Sequence, residues 1–150
     1  MEAPVQDTIT VAGRVDAQLA AVWDAYVDPA ARAVWSVPAG EALVYDKSDF
    51  REGGHDLYRC GPPDSLDFTV TAEYVRIVPE QLIVYVETVR TAGQPLATGA
   101  VVWKFEADDR GTVVTVTSQI TSFVGQAMID GNRSGHAKAL EQLGGFLPTS

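Results

Sequence analysis

The sequence is short of the residues that most often carry covalent or metal chemistry. Only one of its 150 residues is cysteine, Cys60, and only two are histidine, His55 and His136. A single thiol excludes an intrachain disulfide and every paired-cysteine metal site, and it suits a reducing compartment. Neither histidine has carboxylates at a recognisable ligand spacing, so no metal is expected, and no other cofactor. Basic residues are also scarce: 11 Lys and Arg stand against 20 Asp and Glu, a net charge of −9. The acids are scattered and no basic stripe exists, which argues against nucleic acid and against an anionic membrane surface as partners. No apolar run approaches the roughly 18 residues of a membrane helix. The opening MEAPVQDTIT has neither the basic nor the apolar part of a secretion signal. There is no GxSxG, HExxH or P-loop. The expectation is one soluble, cytoplasmic domain over residues 1–150.

What is present is alternation. In DTITVAGRV (7–15), Ile9, Val11, Gly13 and Val15 share one face, the period of a half-buried strand. Asp16 is then placed to cap a helix over about 17–26, with Leu19, Val22, Trp23 and Tyr26 in one stripe. Asp28-Pro29 ends it and starts a second short helix, PAARAVW. From residue 41 the chain is nearly all strand, six segments separated by short turns such as Glu52-Gly53-Gly54 and Asp108-Asp109-Arg110-Gly111. Short links favour antiparallel neighbours, and exposed edge strands would allow a homodimer. Residues 125–147 read as one long helix, on which Met128, Asn132, Gly135, Ala139, Leu143 and Phe146 share a side, widened by Ile129, His136, Leu140 and Leu147. Gly131 and Gly135 lie on that helix four apart, and each costs about 1 kcal/mol relative to Ala. Their expected purpose is tight packing of the helix on the sheet.

Strand, two short helices, about six strands and a long helix predict an α+β fold: an antiparallel sheet of about seven strands gripping a terminal helix. The quoted pieces "VDAQLAAVWDAYVDP", "WSVP", "VYDKSDFREGG", "YVRIVPEQLIVYVET", "DRGTVVTVTS" and "DGNRSGHAKALEQL" occur in order over residues 7–147. Through them the chain resembles the Hsp-90 ATPase activator homologue branch of the START-like (SRPBCC, Bet v 1-type) superfamily. The resemblance implies a helix-grip fold. It spans lipid carriers, hormone receptors, cyclases and aromatases, and protein-binding modules, so it does not decide function.

Candidate residues follow from strand parity. Phe68, Val70, Ala72 and Tyr74 share a face, as do Val101, Trp103 and Phe105, and Val114, Val116, Ser118 and Ile120. Inward Phe68, Tyr74, Trp103 and Phe105, with Trp35, build either a plain core or the wall of an apolar pocket. With Met128, Asn132 and Gly135 they are the candidate ligand-binding set. Tyr45, Tyr58, Tyr74 and Tyr85 supply polar handles on strands. His55, on the parity of Leu57 and Arg59, is expected to point inward with Leu57. Glu87 shares a face with Ile83, Tyr85 and Val89. It becomes a candidate base if that face is interior, alongside His55 and Tyr85, and a surface charge if not; the surface reading is the expectation. The Gly53-Gly54 pair reads as a turn. The functional expectation is binding of a small, mainly apolar molecule between sheet and long helix. The alternatives are a cyclase- or aromatase-type enzyme, which needs polar groups inside, and a chaperone-partner module, which needs a docking patch.

Overall fold

Alternating residues become strands where one face can be buried, and all the expected strands form. The computed structural model describes residues 3–148. It begins with β1 (Val5–Val15), α1 (Leu19–Val27) and α2 (Pro29–Trp35). The meander follows: β2 (Ala42–Ser48), β3 (His55–Gly61), β4 (Phe68–Val78), β5 (Leu82–Thr91), β6 (Gln94–Asp108) and β7 (Gly111–Ser122). α3 (Gln126–Phe146) ends the chain's regular structure. The seven strands form one antiparallel sheet in the order β1-β7-β6-β5-β4-β3-β2. This is the helix-grip architecture, with α3 returning across the face that holds the core.

The helix starts have local causes. Asp16 is not the cap of α1: that position is Gln18, which makes no side-chain capping bond, and Asp16 is exposed. The chain stays extended two residues longer because Ala17 is buried and its carbonyl accepts a 2.9 Å hydrogen bond from Thr112 Oγ1 on β7. α2 starts as expected, with Asp28 Oδ1 accepting from Ala30 N at 2.9 Å and Pro29 in the first turn. Trp23 and Tyr26 of α1 then pack edge-on against Phe105 and Trp103 of β6, with ring centroids 5.2 and 5.1 Å apart.

α3 is seated along one margin of the sheet. It packs on β1 and β7 and touches α2. Ile129, Ala139, Leu140 and Leu143 are its buried side chains. The tight approach is at Gly13 of β1, where an added Cβ would lie 3.2 Å from Leu140 Cβ. Gln142 Nε2 ties the helix to the end of α2 by donating to the carbonyls of Trp35 (2.8 Å) and Val37 (2.6 Å). The tight packing expected at Gly131 and Gly135 is absent: a Cβ added at either would meet nothing within 4 Å. Phe146, assigned to the buried stripe by spacing, is exposed, while Leu143 in the same last turn is buried.

The Gly53-Gly54 turn splits its two requirements. Gly53 adopts φ +82°, which suits glycine. Gly54 is buried, and an added Cβ would strike the Asp49 carbonyl oxygen. Backbone bonds from Gly53 N to Tyr74 O (2.9 Å) and from Tyr74 N to Gly54 O (3.0 Å) clip this turn onto β4.

Glycines therefore differ in sign. Gly99→Ala, whose Cβ would strike the backbone oxygen of Gln119, is expected to destabilise by roughly 1–3 kcal/mol. Gly131→Ala, in open space on a helix, is expected to stabilise by up to about 1 kcal/mol. Urea denaturation of the two variants tests the contrast, and a destabilised Gly131→Ala would show that the gap above it is filled.

Candidate functional site

Small residues face one another across the gap between sheet and α3. Ala72 on β4 pairs with Glu87 on β5, and Glu87 pairs with Gly99 on β6. Opposite them stand Gly131 and Gly135 of α3. Neither layer can fill the space, and two adjoining chambers of about 200 and 180 Å³ result. They meet at Glu87, Val89, Gly131 and Asn132, which line both.

The larger chamber is walled by Tyr26 and Trp35 from the short helices, and by Tyr58, Tyr74, Tyr85 and Trp103 from the sheet. Trp103 Nε1 donates to Tyr85 Oη at 3.1 Å, leaving the Tyr85 hydroxyl proton available to a ligand acceptor. At the α2 side, Arg32 and Asp56 form a buried ion pair, Nη2 to Oδ2 3.1 Å, with both side chains about 5% exposed or less. Arg32 Nη1 donates to Tyr74 Oη (2.9 Å), and that hydroxyl donates to Asp56 Oδ2 (2.5 Å). Ser48 Oγ donates to the other Asp56 oxygen at 2.9 Å. The guanidinium lies 4.9 Å from the ring centres of both Tyr26 and Tyr45. Desolvation acts to lower the Arg32 pKa, but the paired carboxylate of Asp56 opposes it and the guanidinium stays charged. The Tyr74 phenol is held well above its usual range, first by burial and then by Tyr26.

Two further ionisable groups line the larger chamber without such support. Burial alone pushes the Glu87 carboxyl up to about 7, because no cation or donor offsets the loss of water. Burial likewise pushes His136 down to about 4, so the imidazole is neutral, its ring edge-on to Trp103 at 6.1 Å. Among the described residues no group of three His, Cys, Asp or Glu could hold a metal ion. Cys60 lies outside both chambers, and burial raises its thiol to about 11, which keeps it protonated and unreactive.

The candidate residues divide accordingly. Trp35, Tyr74, Trp103, Asn132 and Gly135 line the larger chamber, and Met128 lines the smaller. Phe68 and Phe105 line neither. Phe105 is consumed by packing on Trp23 and Tyr26, and Phe68 sits at the start of β4, paired with Cys60 and Thr91. His55 is on the outer face of β3, since the ion pair draws Asp56 inward and Tyr58 lines the chamber with it. Glu87 is not a surface charge: Ile83 and Tyr85 on its face are buried, while Val86 on the other face is 41% exposed. Arg32 and Asp56 were missed because each looks like an ordinary surface charge in sequence.

These features define a START-like, helix-grip protein with a cleft between sheet and α3. The activator of Hsp90 ATPase homolog 1-like protein family matches residues 16–147, and the chain belongs to that family. It is similar to solved structures of bacterial proteins. An uncharacterised protein from Rhizobium leguminosarum is 25% identical, with TM-score 0.84, over 96% of this chain and 95% of that one. Protein Mll3558 from Rhizobium loti is 25% identical, with TM-score 0.85, over 97% and 100%. Protein Ms6760 from Mycobacterium smegmatis is 21% identical, with TM-score 0.81, over 99% and 98%. No curated protein sequence matches the chain. No helix among the described residues is long and apolar enough to cross a membrane.

The chamber acids give a pH signature. The native protein holds the Glu87 proton up to about 7, against 4.5 ordinarily, so this group makes stability fall as pH rises through that window. His136, lowered from 6.5 to about 4, has the opposite sign: stability rises with pH until 6.5. Glu87→Gln removes the first effect alone. Its stability relative to wild type should improve by at most about 3 kcal/mol between about pH 4 and pH 8, read by urea denaturation at each pH. A pH-independent difference would place the Glu87 carboxylate in water.

Proposed function

We propose that the chain binds a small, mainly apolar molecule in the chamber between the sheet and α3. The observation that carries this reading is the pair Gly131 and Gly135 facing Ala72 across the gap, where a Cβ added at either glycine would meet nothing within 4 Å. Helix glycines cost stability, and here nothing in the protein occupies the room they leave. Aromatic walls with a few placed polar groups are the usual lining of a small-molecule site.

Proton-transfer catalysis is the second reading, and Glu87 favours it. A desolvated carboxyl pushed up to about 7 is suited to act as a base near neutrality. Partner docking has less support, since the exposed large apolar side chains are spread over α2, β2, β4, β5, the link after β7 and α3.

Native mass spectrometry of freshly purified protein should show a non-covalent adduct that disappears on denaturation. Gly135→Leu places a side chain into the larger chamber, should fold at least as stably as wild type, and should lose the adduct. Equal retention by both proteins would move the ligand elsewhere. Turnover of a carbonyl substrate that vanishes in Glu87→Gln, with binding intact, would establish the second reading.

A further inference from the structure

The chamber's charges do not cancel, and the imbalance has one sign. Arg32 is committed to Asp56, to the Tyr74 hydroxyl, and to the faces of Tyr26 and Tyr45. His136 is neutral. Glu87 remains, at the junction of the two chambers, with no cation among the groups that act on it. Beside it at the same junction is Asn132, whose buried Oδ1 has no hydrogen-bond partner among the described residues. A carboxylate with no cation and an amide oxygen with no donor thus stand where the chambers meet. An unmet buried acceptor such as Asn132 Oδ1 is costly, and a ligand N–H would satisfy it.

The surroundings suit a cation on an apolar body. Tyr58 and Tyr85 stand close enough to Glu87 for its charge to add to burial in raising both phenols. Their rings and that of Trp103 offer π faces in the same chamber. A carboxylate or phosphate ligand would instead meet Glu87 with no free positive charge to receive it. Arg32 Nε has no hydrogen-bond partner among the described residues, yet its guanidinium charge is already met by Asp56, so it can take a neutral acceptor without drawing in an anion. The net charge of −9 attracts cations to the molecule as a whole.

We propose that the ligand is a protonated amine carried on an apolar body: the ammonium group sits between Glu87 and Asn132 Oδ1, and the hydrocarbon lies among Tyr58, Tyr85 and Trp103. This rests on the small-molecule reading above and names the ligand's chemistry. The ammonium keeps its proton, and no bond is made or broken.

The probes are phenylbutylammonium and its neutral counterpart phenylbutanol, which share a body and differ in charge. Binding is followed at pH 8 by the fluorescence of Trp35 and Trp103 and by calorimetry. The amine is expected to bind wild type at least about tenfold more tightly than the alcohol. In Glu87→Gln that advantage should vanish while alcohol affinity is kept, which also shows that the variant's chamber is intact. Equal or tighter binding of the alcohol to wild type overturns the amine proposal and leaves the small-molecule reading standing. An amine preference that survives Glu87→Gln overturns the assigned contact. Failure of both probes to bind wild type overturns the chamber as a binding site, and the amine proposal with it.

Discussion

The contact on which the rest of the molecule depends is the seating of α3 on β1. Gly13 lets the helix approach until Leu140 fills the place a side chain would have taken. One helix cannot cover seven strands. Once it is fixed at the β1–β7 margin, the central strands β4, β5 and β6 must be covered from elsewhere or left facing a gap. At the α1 end the gap closes, because Trp23 and Tyr26 reach Phe105 and Trp103. Towards the start of α3 nothing closes it, because helix and sheet both carry small residues there. The chamber is what the seating at Gly13 leaves over.

A second tie keeps that geometry from collapsing. α2 is held to the sheet through the Arg32–Asp56–Tyr74 cluster and to α3 through Gln142. Desolvating two charges is expensive, and well-packed apolar residues often serve stability as well. What the cluster supplies is position. The Arg32 guanidinium lies 4.9 Å from two tyrosine ring centres and bonds in fixed directions, which holds α2 in place. Trp35, three residues further along α2, is thereby held at the chamber wall. The cluster also explains why one chamber carboxylate is compensated and another is not: Asp56 has the guanidinium, and Glu87 is flanked by Ala72 and Gly99, which offer no charge or donor.

Much of the architecture was legible because period-two and helical spacing each report burial directly. The inner faces of β6 and β7 follow from parity, with Val101, Trp103 and Phe105 buried, and Val114, Val116 and Ser118 likewise. β5 also splits by parity, with Ile83 and Tyr85 buried and Val86 exposed, but which of its faces joins the inner face of β4 depends on a single residue. From Val78 opposite Leu82, through Ile77–Ile83 and Arg76–Val84, an uninterrupted register would set Tyr74 opposite Val86. A bulge between Tyr74 and Arg76 intervenes, Val75 is turned out to solvent, and Tyr74 pairs with Tyr85 instead. That shift is what lets Tyr74 and Glu87 face the same interior. Nothing in the local sequence marks it. His55 is the same kind of miss, since parity separates two faces of a strand without saying which is buried. Arg32 and Asp56 lie 24 residues apart and gain meaning only when α2 meets β3.

The two helix glycines weigh more in the proposed function than family membership does. Belonging to the activator of Hsp90 ATPase homolog 1-like family fixes the fold over residues 16–147, and a fold of this kind hosts unrelated activities. If α3 served only to cover the sheet, alanine at 131 and 135 would make a better helix at no steric cost, since neither position has a neighbour within reach. Ala139, one turn further along the same face, is buried and shows that the helix tolerates a methyl group where the sheet is close. The glycines stand instead over Glu87 and Tyr85, where an added side chain would narrow the chamber beside its one uncompensated carboxylate. Their cost to the helix and the desolvation of Glu87 go with the same feature, a space that the protein's own side chains do not fill.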